Sequence, residues 1–66
     1  MRHLVGDEVI YGYGGQLRRG VITKVDTYPT RVSFIINGNT QSIFFNYDIH
    51  INLTQYNLLL NEMMEI

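Results

Sequence analysis

The 66 residues carry five Lys and Arg against six Asp and Glu, a formal net charge of −1, with 45% hydrophobic residues and no cysteine. That length makes one domain, residues 1–66, whose core buries only about 60% of the unfolded chain's surface, and the absence of cysteine excludes disulfides and thiolate metal sites as a source of stability. A pI near 6.0 is not the signature of a dedicated polyanion binder, and no run of about 18 uncharged apolar residues exists to span a membrane, so the expectation is a cytoplasmic chain.

Taken in chain order, EVIYGY (Glu8–Tyr13) and GVITKVD (Gly20–Asp26) are rich in β-branched and aromatic residues and read as two strands. Between them, a glycine-rich loop is expected to carry Arg18 and Arg19 outward. Pro29 marks a turn. RVSFIIN and TQSIFFN then flank Asn37-Gly38, a strong hairpin signal because both positions of a type I′ turn need φ > 0. A two-residue turn there pairs Ile36 with Asn39, Phe34 with Gln41 and Val32 with Ile43. It sends Val32, Phe34, Ile36, Ile43 and Phe45 inward and Arg31, Ser33, Ile35, Thr40, Ser42 and Phe44 outward. A three-residue loop reverses the second strand, so register decides which of Phe44 and Phe45 is exposed. YDIHIN reads as a short last strand with Ile49 and Ile51 on one face and Asp48 and His50 on the other.

After that strand the apolar period changes. At 100° per residue, Leu53, Tyr56, Leu59, Leu60, Met63, Met64 and Ile66 fall on one broad stripe, with Thr54, Asn57, Asn61 and Glu65 opposite and Leu58 on the polar side. This predicts an amphipathic helix over about 53–65, with Asn52 as N-cap and Gln55 completing a capping box. Repeated short strands without intervening helices predict a mainly β fold: a small antiparallel barrel of about five strands over residues 5–51, followed by that C-terminal helix. GDEV, the glycine-rich loop, RRGVITKV, VSFIING and FNYDI together resemble a Src-homology-3-like small barrel of the KOW or Tudor kind. KOW domains often bind RNA or transcription and ribosomal proteins, and Tudor domains cage methylated side chains. The fold alone selects none of these activities.

The chemistry of catalysis is missing. The six acids are scattered, and Asp7 and Glu8 read as solvated surface acids on opposite sides of a strand start. His3 and His50 have no ligand cluster around them, Ser33 and Ser42 lack a nucleophile-elbow setting, and GYGG leads into a strand rather than a phosphate-binding helix. No enzyme, metal or cofactor is expected.

Binding surfaces remain. Tyr11, Tyr13, Arg18, Arg19, Arg31 and Phe44 are the candidate partner-binding residues, since tyrosine rings bury while their hydroxyls stay wet, an arrangement shared by binding surfaces and barrel rims. Leu58, Met63 and Met64 are the candidates for self-association, because the helix is more apolar than one contact with the barrel requires. The favoured expectation is a non-enzymatic protein-interaction adaptor or inhibitor that forms a homo-oligomer, of the size carried by phages and mobile elements. The alternative is nucleic-acid or nucleotide-phosphate binding through Arg18, Arg19, Lys24 and Arg31 beside exposed aromatic rings.

Overall fold

The structure, a computed structural model, describes residues 2–64. Five antiparallel strands form one curled, barrel-like sheet: β1 (Glu8–Tyr13), β2 (Gln16–Tyr28), β3 (Arg31–Ile36), β4 (Phe44–Phe45) and β5 (Ile49–Asn52). Helix α1 (Leu53–Met64) follows, and a 3-10 turn at Asn46–Asp48 joins β4 to β5. The order across the sheet is β4-β3-β2-β1-β5. The expected mainly β architecture with a C-terminal helix is the observed one; Glu65, within the expected helix, and Ile66, counted on its stripe, lie outside the described residues.

Strand β2 produces the curl. Its first half pairs with β1, from Tyr13↔Gln16 to Glu8↔Val21, and its second half with β3, from Ile22↔Ile36 to Tyr28↔Arg31. The exchange of partners falls at a bulge between Ile22 and Lys24, where an extra residue sharpens the twist. That residue, Thr23, donates its hydroxyl to the Ile35 carbonyl at 3.2 Å and accepts the Gly38 N–H at 3.1 Å.

The glycine-rich loop is shorter than expected. Gly14 and Gly15, at φ +60° and +76°, form a two-residue turn between the paired residues Tyr13 and Gln16. Arg18 and Arg19 are therefore strand residues opposite Tyr11 and Ile10, and alternation sends their side chains to opposite faces of the sheet.

Asn37 and Gly38 adopt the left-handed backbone that the turn requires, at φ +58° and +70°, and the Asn39 N–H reaches the Ile36 carbonyl at 3.3 Å. The expected register does not follow from it. Phe34 pairs with Phe44 and Ser33 with Phe45, three residues beyond the partners counted from the turn. The cause is the docking of Asn37 on β2. Its N–H donates to the Val21 carbonyl at 2.8 Å, and its Oδ1 accepts the Val21 N–H at 3.0 Å. The turn is thus held against β2, and residues 39–43 arc outside the ladder before β4 begins.

Val9, Tyr11, Ile22, Phe34, Ile36 and Phe44 form the core, with Val25 and Ile49 packed against it. Phe44, placed outward by the two-residue register, is only 6% exposed, and Ser33 and Ile35 are also buried. Ile43 and Val32, placed inward, are 57% and 39% exposed. Ile43 belongs to the arc, whereas Val32 lies where the β2–β3 hairpin runs beyond the covered part of the sheet. In β5 a bulge opposite Ile10 and Tyr11 separates the two isoleucines expected on one face. Ile49 packs on the core and Ile51 is exposed.

Asn52 caps α1 by accepting the Gln55 N–H on its Oδ1 at 3.0 Å. The reciprocal half of the capping box is replaced, because the Gln55 side chain donates instead to Asp7 Oδ2 and to the Arg2 carbonyl. Only the first turn of α1 is half-buried; Tyr56 to Met64 are all exposed. The helix accordingly extends away from the sheet. The radius of gyration is 12.7 Å, against about 11 Å for a compact chain of this length, and the long axis measures 42 Å.

Candidate functional site

Four of the six candidate partner-binding residues meet at one end of the barrel. Tyr11 and Tyr13 lie two apart on β1 and so share a face; Phe44 reaches them from β4, at ring-centroid distances of 4.8 and 5.7 Å, edge to face. Arg18, directly across from Tyr11, lays its guanidinium 5.4 Å from the centroid of the Tyr13 ring. These four side chains line a cup of about 220 Å³ whose other wall is the Asn37-Gly38 turn and the 39–43 arc, through Asn37, Asn39 and Ser42. Tyr11 and Phe44 are buried, so they support the floor, while Tyr13 is 47% exposed and forms the lip.

Gly20 allows the arc to sit so close. A Cβ on Gly20 would lie 2.6 Å from Ile36 Cγ2 and 2.8 Å from the amide atoms of Asn37. Sequence reading took Asn37 only as a turn residue and did not single out Asn39 or Ser42 as ligand-facing groups. The register error hid them, since it placed residues 40–43 in a strand rather than in an arc over the barrel end.

The remaining cations stand apart from this cup. Arg19 donates to Glu8 Oε1 at 2.7 Å; that bond and the guanidinium charge hold the Glu8 carboxyl below its ordinary range and raise Arg19 in return. Lys24 lies 3.5 Å from Asp26. Arg31 lies 5.8 Å from the Phe45 ring centroid, beside the Tyr28 end of β2. Arg18 and Arg19 point to opposite faces of the sheet, and Arg19 and Lys24 are paired with Glu8 and Asp26, so the four cations do not act as one uncompensated patch.

At the opposite side of β1, a polar network corrects the reading of Asp7 as a solvated acid. Asp7 is 7% exposed, and its Oδ2 accepts from Asn52 Nδ2 at 2.8 Å, the Leu4 N–H at 3.0 Å and Gln55 Nε2 at 3.0 Å. Burial pushes this carboxyl up, but the three hydrogen bonds and nearby His3 outweigh burial and leave it below the ordinary value. Asn52 Nδ2 also donates to His3 Nδ1 at 3.0 Å, and the His3 ring meets Phe34 edge to face at 5.6 Å. Burial holds His3 below its ordinary value, with Asp7 opposing that direction. These contacts join the 2–5 segment, β1, β5 and α1. They describe a structural tie, because the hydrogen bonds of Asp7 Oδ2 and Asn52 link segments 45 or more residues apart as well as the Leu4 backbone.

Helix α1 is the second exposed feature. Leu59, Leu60, Met63 and Met64 are 39% to 83% exposed, Tyr56 is 53% exposed on the same stripe, and Leu58 is 58% exposed off it. Among the described residues no helix is long and apolar enough to cross a membrane, and no three His, Asp or Glu side chains gather as a metal-ligand set. The chain matches no known family model, no curated protein and no solved structure.

Proposed function

We propose that this chain is a non-enzymatic protein-binding module that pairs with a second copy of itself through α1 and offers the barrel end to a protein partner. One observation carries the reading: beyond its first turn, a helix with a continuous apolar stripe remains exposed. Solvent exposure of such a stripe is unfavourable by about 25 cal/mol per Å² of apolar surface. A second copy is the occupant that the charges favour. Among the described residues α1 carries only Glu62 as a formal charge, so two helices meet with little repulsion, and a partner selected by charge would find little to read. A stripe related to itself by a twofold axis is self-complementary, and a domain of this size gains most from the added buried area.

The curled sheet of five antiparallel strands fits the resemblance to a Src-homology-3-like small barrel, and the partly neutralised cations favour a protein partner over nucleic acid. Sedimentation velocity from low to high micromolar concentration tests the pairing. The wild type should dimerise, and Leu59→Glu/Met63→Glu should weaken dimerisation by well over tenfold, because burial of two such side chains contributes about 3–6 kcal/mol. A wild type that remains monomeric throughout the range overturns the reading.

A further inference from the structure

We infer that the cup at the barrel end is a carboxylate receptor, shaped to take an acidic side chain of a protein partner over the Tyr13 and Phe44 rings. The inference rests on the proposed role as a protein-binding module and names the chemistry of the partner.

The donors define the ligand. Arg18 has no acidic partner among the described residues, unlike Arg19 and Lys24. It is held over Tyr13, and stacking of a guanidinium on an aromatic face leaves the edge of its planar fork open for a carboxylate. The two asparagines of the cup have committed their carbonyl oxygens to the backbone, Asn37 Oδ1 to the Val21 N–H and Asn39 Oδ1 to the Gln41 N–H, each at 3.0 Å. What each amide retains for a ligand is therefore its Nδ2, a donor. No carboxylate lines the cup, and Ser42 adds a hydroxyl. A site rich in donors, with a cation and without a competing anion, selects an anionic acceptor.

Size and charge favour a carboxylate over a nucleic-acid strand. The cup of about 220 Å³ admits one side chain, and a single available cation engages about one phosphate, whereas affinity for nucleic acid accumulates over several. The aromatic floor complements the methylene stem of a Glu residue, with the Tyr13 hydroxyl at the wet lip.

The test uses the full chain labelled with ¹⁵N, titrated with a capped tetraglutamate peptide, a capped tetraglutamine peptide and a short oligothymidylate. Tetraglutamate should saturably shift the side-chain signals of Arg18, Asn37 and Asn39 while leaving α1 unaffected. Arg18→Gln should weaken that binding about tenfold or more, the loss of one charge-assisted contact. Asn39→Asp keeps the oxygen that accepts the Gln41 N–H and places an anion in the cup, so it should abolish binding in a folded protein. Equal shifts with tetraglutamine, or undiminished binding by Asn39→Asp, overturn the inference. Tighter binding of the oligothymidylate also overturns it and assigns the cup to phosphate. Because Leu59→Glu/Met63→Glu leaves the cup untouched, failure of carboxylate binding and failure of pairing are separately visible.

Discussion

Truncation of Asp7 to alanine is expected to remove a large part of the stability of this domain. Oδ2 of Asp7 accepts three hydrogen bonds, from Asn52 Nδ2, the Leu4 N–H and Gln55 Nε2. Water can replace the acceptor for Leu4 and Gln55, which are exposed or half-buried. Asn52 is only 5% exposed, so its amide keeps the His3 contact and loses its charged one. A hydrogen bond to a charged group contributes about 1.5–3 kcal/mol, and a buried donor left without a partner costs about 1–3 kcal/mol. These are two views of the same loss; with a small contribution from the two wetter bonds, the expected cost is about 2–4 kcal/mol. The whole domain, at about 0.05–0.15 kcal/mol per residue, holds about 3–10 kcal/mol. At about 4–8 °C per kcal/mol for a small domain, the melting temperature should fall by about 10–30 °C. Thermal and urea unfolding followed by circular dichroism measure both quantities. Asp7→Asn retains one acceptor oxygen and should cost only about 1 kcal/mol. An Asp7→Ala variant within about 0.5 kcal/mol of wild type, the range of ordinary surface changes, would refute the assignment of a tie to this network.

Two further outcomes are expected. Gly20→Ala forces a methyl group against Ile36 and the Asn37 amide, and because Ile36 is fully packed, urea unfolding should show a loss of about 1–3 kcal/mol, with the Asn37 side-chain signals displaced. Stability should also decline on acidification in two stages. His3 lies below its ordinary value in the folded chain, so its contribution is complete above the unfolded pKa of about 6.5 and is lost as pH falls below it. Asp7 is likewise lowered, so its contribution is present above about 3.9 and is lost as pH falls through its folded value. Unfolding free energies measured across the acid range check this, and His3→Gln should remove the upper stage alone.

The β architecture was legible because local signals and tertiary structure agree. Asn37-Gly38 and Gly14-Gly15 adopt positive φ, Pro29 ends β2, and alternation correctly placed Phe34 and Ile36 inside. Register was less legible, because it depends on contacts between distant residues. Counting outward from a turn assumes that the ladder resumes at once, whereas Asn37 docks on Val21 and carries five residues out of the ladder. The two-residue register, which turned Phe44 outward, does not hold for this reason. The two bulges, at Thr23 and opposite Ile10 and Tyr11, follow from curling the sheet and leave no composition signal. Asp7 looked solvated because the groups that bury it come from Asn52 and Gln55, at the far end of the chain. The helix was read well, since its stripe and the Asn52 cap are local; that the stripe stays exposed beyond the first turn required the structure.

The strand order also has a consequence for folding. Strands β1, β2 and β3 meet through tight turns and can zip sequentially, whereas β5 must return to the outer edge of β1 after the intervening chain has been placed. Long-range pairings of this kind form late, because their loop-closure entropy is lost before their contacts are made. Until β5 arrives, β1 presents an open edge, the surface through which unfinished sheets aggregate. The same asparagine that then bonds to Asp7 also caps the helix, so one side chain ties the β5 edge of the sheet to the start of α1. The helix that carries the exposed apolar stripe is thus anchored at the strand that covers the open edge of β1, so pairing surface and edge protection share one attachment point.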